Sequence, residues 1–362
     1  MVLMNGDREV LYFDDESYTV EILNFKFLPL QLQSIIKNSK TLITAKEILR
    51  NYDTLRYFFA NRTLLLSREN AKAILHSVGA SQKASTETMF QLSLSCRGVS
   101  VLDNIWVKGD NECIQFADVN IRHRYLSDVV FDIALRGRSV SVEHSLMDAE
   151  LTTSGMFRKC WKREGDRLFM YKSDSTSGFV NTKAELKASE LLDKTNVSHV
   201  QYISAKLDGF LCCKCACMTD DNTSFVAAED LPQALYEKLR SLYVSDFANM
   251  AVIDYLIANT DRHLGNIGFF VDNSTNSVKG VAPLFDHNQA FLAFDLGGID
   301  EFDDLIYVPF GKTVIETIAN IGHLHTIEWN NTIPEECSAR WNKIMSLTHD
   351  KCTINQSSVF QQ

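Results

Sequence analysis

Residues 259–268 read NTDRHLGNIG and directly follow an apolar segment, MAVIDYLIA, at 250–258. The apolar segment indicates a buried helix. The stretch after it places an Asp, an Arg, a His and two Asn around glycine. Polar side chains are costly to bury unless they are paired. This stretch is therefore either a structural helix end or a chemical site.

The residues that follow predict a hairpin that returns a second acidic residue to this stretch. They read GFFVDNSTNSVKGVAPLFDHNQAF, residues 268–291. GFFVD is the outward strand, NSTNS the turn and VKGVAPLFD the return. The hairpin would bring Asp286 beside Asn266. Mg²⁺ prefers such oxygen ligands together with the phosphate oxygens of ATP.

Asp261 and Asn266 have the spacing D-x-x-x-x-N, as in the catalytic loop of protein kinases. In that loop the Asp receives the hydroxyl proton and the Asn holds a metal ion. The alternative is structural, because Asn and Asp often cap helices and build turns, and the motif alone is common by chance. The hairpin that ends in PLFD favours phosphoryl transfer, where positioning and charge neutralisation supply most of the catalysis.

DYLIANTDRHLGNIGFFVD together with APLFDHNQAF resembles the HipA-like serine/threonine kinases, which are bacterial and phage-borne proteins. The resemblance runs from about residue 151 to 310 and is strongest over 254–291. It implies that Asp261 is the catalytic base and that Asn266 and Asp286 bind Mg²⁺.

For Arg262 and His263, which follow the proposed base, the favoured interpretation is a structural role. Arg262 would pair with a carboxylate, and His263 would brace the loop.

The resemblance also directs a search for the residues that hold ATP. RLFMYKS offers Lys172 on an early strand, where the alternative is an ordinary exposed lysine at a strand end. NTKAELKASELL offers Glu185 and Glu190 as the partner of that lysine. They face differently on a helix, and the family's usual position near the helix start favours Glu185.

The phosphate-covering loop is expected just before the first strand of this region, in ELTTSGMFRKCWK. Backbone N–H groups around Ser154 and Gly155 would hold phosphate oxygens, although the loop departs from G-x-G-x-x-G. Some family members autophosphorylate on a serine in this loop and lose activity. The resemblance makes Ser154, Thr153 and Thr152 candidates for that modification.

Four of the nine cysteines lie in CCKCAC, residues 212–217. A metal site is disfavoured because paired C-x-x-C spacing is absent and no histidine lies close. The segment alternates as a strand does, and reduced cysteine packs well there. The resemblance places it beside the adenine cleft.

The order of predicted elements indicates an α+β protein with the two-lobed, protein-kinase-like fold and an additional mixed α/β region at its N-terminus. We expect an accessory region at 1–148 and a kinase domain at 149–350, with a small lobe to about 220, a large lobe from about 221 and a tail at 351–362. The accessory region shows no catalytic constellation, and its composition does not reveal its role.

The net charge of −10 argues against direct, sequence-independent binding to nucleic acid. No secretory signal or membrane-spanning run is evident, so we expect a cytoplasmic protein without membrane contact. The favoured function is transfer of phosphate from ATP, with Mg²⁺, to a Ser or Thr of a protein substrate. The alternatives are a catalytically silent binding module and a toxin–antitoxin component that acts through an antitoxin partner.

Overall fold

The structure is a computed structural model. It describes residues 1–33, 44–64, 67–77, 79–81, 85–137, 157–174, 180–207, 210–292 and 302–359. The chain forms two compact units. The first comprises Met1–Ser177, Leu207–Val226 and Phe270–Lys279, and the second comprises Gly178–Lys206, Ala227–Phe269 and Gly280–Gln362. The boundary predicted near residue 148 lies outside the described residues.

The N-terminal part of the first unit is a four-stranded antiparallel sheet covered by helices, with strand order β3-β2-β1-β4. Its strands are β1 (Val2–Asn5), β2 (Arg8–Asp14), β3 (Thr19–Ile22) and β4 (Ile105–Lys108). Its helices are α1 (Leu30–Gln33), α2 (Ala45–Ala60), α3 (Ala71–Ser77), α4 (Thr86–Ser95), α5 (Phe116–Val119) and α6 (Asp128–Arg136). Alternating apolar residues of the sheet, such as Leu3 and Leu11, bury against Phe59 and Phe90 of α2 and α4.

A second antiparallel sheet in this unit contains β5 (Arg158–Glu164), β6 (Arg167–Ser173) and β8 (Phe210–Ala216). Gly165, at φ +62°, makes the tight β5–β6 turn in the left-handed region that glycine favours. Trp161 and Leu168 share a buried cluster with Met4 and Trp106 of the N-terminal sheet. The N-terminal region therefore packs on the β5–β6 hairpin by a common core.

The predicted hairpin is present, but its return strand ends at Val281 and not at Asp286. It consists of β10 (Gly268–Asp272) and β11 (Ser277–Val281), and it joins β9 (Thr223–Ala227) in a sheet of order β11-β10-β9. Asn276, at φ 56°, occupies a left-handed turn position, which asparagine tolerates better than most residues.

The second unit is mainly helical. Its elements are α7 (Val180–Leu192), β7 (Ile203–Leu207), α8 (Gln233–Leu242), α9 (Val244–Leu256), β12 (Ile306–Tyr307), β13 (Lys312–Thr313), α10 (Val314–Ile321) and α11 (Glu335–Val359). Every residue of α9 from Met250 to Leu256 is buried, and the helix packs against α10 and α11. A helix that is apolar on all faces belongs in a core, so α9 is the central element of this unit. No helix among the described residues meets the length and hydropathy needed to span a bilayer.

The end of α9 turns the chain toward the polar stretch through a left-handed residue. Ala258 has φ 47°, and its N–H donates to the carbonyl of Tyr255 at 3.3 Å. The N–H of Asn259 donates to the carbonyl of Asp254 at 2.9 Å. These two bonds form a Schellman cap, whose left-handed position is usually glycine. Alanine there costs roughly 1–2 kcal/mol, and the fully buried surroundings hold it in place.

Candidate active site

Asp261 lies in a loop whose backbone is fixed from several sides. Its N–H donates to Oδ1 of Asn259 at 3.3 Å. Its carbonyl accepts from Nδ2 of Asn266 at 3.0 Å and from the N–H of His263 at 3.1 Å. The loop that the D-x-x-x-x-N motif occupies is therefore held by its own first and last residues.

Behind this loop lies a buried ion pair between Arg262 and Asp254 of α9. Both side chains are 1% exposed. Nε of Arg262 donates to Oδ2 of Asp254 at 2.8 Å, and Nη2 donates to Oδ1 at 3.0 Å. This two-bond geometry is the strongest form of the Arg–carboxylate pair.

The third nitrogen of the guanidinium joins two separate segments of the chain. Nη1 of Arg262 donates to the carbonyl of Asn266 at 2.7 Å and to the carbonyl of Phe285 at 3.0 Å. Phe285 directly precedes Asp286. A single buried side chain thus brings the backbone of both metal-ligand candidates to the same nitrogen.

Asp254 accepts two further hydrogen bonds, which complete its environment. Nδ2 of Asn259 donates to Oδ1 at 2.8 Å, and the hydroxyl of Tyr307 donates to Oδ2 at 2.6 Å. Burial acts to raise the pKa of Asp254, but the charge and hydrogen bonds of Arg262 outweigh it and leave that pKa below its ordinary value. Burial and the Asp254 charge raise the pKa of Tyr307 well above its ordinary value. Tyr307 therefore remains a neutral hydrogen-bond donor.

Asp286 sits at φ 60°, in the left-handed region that non-glycine residues rarely adopt. Nδ2 of Asn288 donates to Oδ1 of Asp286 at 2.9 Å. Strained backbone positions of this kind concentrate at functional sites. The left-handed turn and the Asn288 hydrogen bond together fix this carboxylate.

Asn266 and Asp286 present oxygen atoms that fit Mg²⁺. Because Nδ2 of Asn266 is committed to Asp261, its Oδ1 is the atom left to bind a cation. Mg²⁺ commonly takes one or two protein oxygens together with substrate phosphates, and this donor set is of that type. Within the described ranges, there is no group of three or more His, Cys, Asp or Glu residues that could hold a metal ion. The four cysteines of residues 212–217 therefore do not form such a group.

Glu185 of α7 is 1% exposed and accepts a hydrogen bond from the backbone N–H of His287. Glu190, the alternative, is exposed. Glu185 therefore connects α7 to the residue that follows Asp286. Lys172 lies on β6 of the first unit, partly buried and in register with Lys159 and Cys213.

His263 and Gly265 shape the middle of the loop. Nδ1 of His263 accepts from the N–H of Gly265 at 3.1 Å. A Cβ added at Gly265 would lie 2.8 Å from both carboxylate oxygens of Glu229 and 2.8 Å from Cε1 of His263. Glycine is thus the residue that this close approach permits. Thr152, Thr153, Ser154 and Gly155 lie outside the described residues.

Sequence reasoning missed Asp254, Tyr307, Asn288 and the link through Arg262 to Phe285. One signal was available: Asp254 is the only charged residue in MAVIDYLIA. A carboxylate within an apolar helix needs a buried cationic partner. Nothing local identified Tyr307 or Phe285.

The chain is similar to one kinase family model and to solved structures. Residues 179–343 match the family model of phosphatidylinositol 3- and 4-kinase. HipA of Shewanella oneidensis MR-1, solved in a toxin–antitoxin complex with HipB and operator DNA, shares 13% identity with a TM-score of 0.50. That alignment covers 88% of this chain and 83% of HipA.

The proinflammatory kinase CtkA of Helicobacter pylori shares 17% identity over 53% of this chain and 82% of its own, with a TM-score of 0.37. No curated protein matches the sequence. The kinase family model over residues 179–343 supports phosphoryl transfer as the class of activity. The expected α+β fold is confirmed, and the chain has the HipA-like, protein-kinase-like fold.

Proposed function

We propose that this protein transfers the γ-phosphoryl group of ATP, with Mg²⁺, to a Ser or Thr hydroxyl of a protein substrate. The observation that carries the proposal is the pair of hydrogen bonds from Nη1 of Arg262 to the carbonyls of Asn266 and Phe285. They hold the D-x-x-x-x-N loop and the segment of Asp286 together in a buried, rigid arrangement. Phosphoryl transfer depends on such positioning more than on covalent chemistry by the protein.

In this proposal the carboxylate of Asp261 accepts the proton of the attacking hydroxyl. The hydroxyl oxygen forms a bond to the γ-phosphorus, the bond from that phosphorus to the bridging oxygen breaks, and ADP leaves. Asn266 and Asp286 would hold Mg²⁺, which would supply charge neutralisation on the phosphates. Lys172 holds ATP phosphates and Glu185 orients the lysine, as the resemblance implies.

The proposal also assigns two roles to the residues before β5, phosphate binding and autophosphorylation. Backbone groups around Ser154 and Gly155 would cover the phosphates. Ser154, Thr153 or Thr152 would accept phosphate from the protein's own active site. Phosphopeptide mapping after incubation with ATP tests this directly: no phosphate on 152–154 in an otherwise active preparation would contradict it.

The HipA likeness supports a proposal about the cellular setting. HipA was solved with HipB and operator DNA. By analogy we propose that this cytoplasmic kinase pairs with an antitoxin, and that any contact with DNA is made through that partner. The net charge of −10 is consistent with this division.

Transfer of labelled phosphate from ATP with Mg²⁺ tests the main proposal. The wild-type protein is compared, alone and with lysate, with Asp261→Asn, Asp286→Asn and the control Asp304→Asn, which alters an exposed carboxylate of the same unit. We expect the first two to lose at least a hundredfold in rate, because the base or a metal ligand is removed, and the control to retain wild-type rate.

Equal labelling by all four proteins would refute the assigned roles. ATP binding without labelling in any of them would favour the catalytically silent alternative.

A further inference from the structure

A cavity of about 470 Å³ lies within the second unit, and neither Asn266 nor Asp286 is among its lining residues. One wall is α7, through Val180, Lys183, Ala184 and Lys187. Their spacing of three and four residues places them on a single helix face. The volume falls in the range of roughly 300–1,000 Å³ that small-molecule sites occupy.

The floor of the cavity is apolar. It is formed by Leu256 at the end of α9, by Ala290 and Phe291, and by Cys337 of α11. Leu256 and Ala290 are fully buried, and Cys337 is 1% exposed. Burial raises the pKa of Cys337 to about 11, so the thiol is neutral and belongs to the apolar lining.

The charged residues of the lining are all exposed and define its mouth; they are Lys183, Lys187 and Glu336, which leaves one positive charge in excess. Nζ of Lys187 lies 3.5 Å from Oε1 of Glu336 and 4.2 Å from the centre of the Phe291 ring. Lys183, one turn earlier, is exposed and forms no ion pair with any residue that the structure describes. Like charges four residues apart on a helix repel each other, and the first turn of α7 contains no acidic residue. An anion at the mouth would relieve this repulsion.

From these features we propose that the cavity binds a small amphipathic anion, with a single acidic head group at Lys183 and an unbranched apolar chain on the floor. An apolar floor with one cationic end matches both parts of such a ligand. Lys187 is already occupied by Glu336 and Phe291, so Lys183 supplies most of the selectivity for charge.

The cavity is also connected to the proposed metal segment. Ala184 precedes Glu185, which accepts from the N–H of His287, and Phe291 lies on the segment that follows. Two walls of the cavity are thus joined by the Glu185–His287 hydrogen bond. The apolar chain of a bound ligand would contact both walls.

Calorimetric titration of the full chain with decanoate, below its micelle concentration and without nucleotide, tests the proposal separately from kinase activity. We expect one binding site. Octanoate, shorter by two methylenes, should bind roughly tenfold more weakly. Lys183→Met should weaken decanoate binding about three- to fivefold and Lys183→Glu by more. Decanol should bind more weakly than decanoate and be unaffected by Lys183→Met.

Lys238→Met, at an exposed lysine of α8 outside the cavity, is the matched control and should bind as the wild type does. The proposal is overturned if decanoate does not bind, if Lys183→Met and Lys238→Met bind it equally, or if decanol binds as tightly as decanoate. Because Lys183 is exposed, its variants should fold, and their unfolding midpoints confirm this.

Discussion

The hydroxyl of Tyr307 donates to Asp254 at 2.6 Å, across 53 residues of the chain. Tyr307 lies on β12, and its ring stacks on Phe310 with 6.3 Å between centroids. Asp254 in turn binds Arg262, whose third nitrogen holds the backbone at Asn266 and Phe285. The short β12 strand thereby supports the proposed catalytic loop from behind, without belonging to it.

Removal of the Tyr307 hydroxyl should reveal this support. We expect Tyr307→Phe to lower the free energy of unfolding by about 1–2 kcal/mol, because Asp254 loses one charge-assisted hydrogen bond while the ring stays packed. Urea denaturation measures the change. Tyr243→Phe is the control, because no hydrogen bond of the Tyr243 hydroxyl is present among the described residues. It should change the free energy of unfolding by less than about 0.5 kcal/mol.

Breaking the buried ion pair should be more costly. Asp254→Ala leaves Arg262 charged and 1% exposed without its partner carboxylate. We expect a loss of about 3–5 kcal/mol of stability, and phosphate transfer should fall with it as the loop loosens. Replacing both residues with apolar ones of similar volume, Asp254→Leu with Arg262→Met, should recover part of the stability but not the activity. Full recovery of transfer by the double variant would show that the pair does not position the loop.

The same pair sets an acid limit on stability. The pKa of Asp254 is lowered from its ordinary 3.8. The contribution of this carboxylate to the free energy of unfolding is therefore fully present above about pH 3.8. It is lost progressively as pH falls from there through the lower folded-state value, because over that range the unfolded state binds the proton more tightly than the folded state does. Denaturation series between neutral and acid pH should show a steeper loss for the wild type than for Asp254→Asn. Parallel curves would contradict the assignment.

The strained helix end predicts a stabilising substitution. Ala258→Gly should raise the free energy of unfolding by up to about 1 kcal/mol, since glycine adopts φ 47° without a Cβ penalty. Ala248→Gly, at a buried α9 position, is the matched control and should destabilise by about 1 kcal/mol. If both substitutions destabilise equally, Ala258 is not strained in solution.

Glycine at position 265 should be required for activity. Gly265→Ala places a Cβ 2.8 Å from the Glu229 carboxylate and from His263, so the loop must shift. A shift of about 1 Å in a positioned catalytic group can cost on the order of a hundredfold in rate. Gly280→Ala, where a Cβ meets nothing within 4 Å, should leave transfer unchanged. Rate assays on both variants provide the comparison.

Local sequence patterns determined the individual elements of this protein. The β10–β11 hairpin follows from GFFVD and the NSTNS turn, because alternation and turn residues act over a few positions. The buried helix α9 follows from its unbroken apolar run. Glu185 rather than Glu190 lies on the buried face of α7, and its role as the partner of Lys172 stays a prediction. The motif spacing singled out Asp261 and Asn266 as candidates, and the predicted hairpin added Asp286.

Tertiary structure decided which distant groups meet. No local pattern pairs Tyr307 with Asp254, joins Arg262 to the carbonyl of Phe285, or seats Glu185 on the N–H of His287. These contacts depend on how helices and loops pack, and a buried polar group takes whichever partner the packing brings within reach. The sequence contains a signal that Asp254, a charge in an apolar helix, needs a partner, although sequence reasoning missed it. Only the folded chain determined that the partner is Arg262, and that the same arginine holds the two segments of the site.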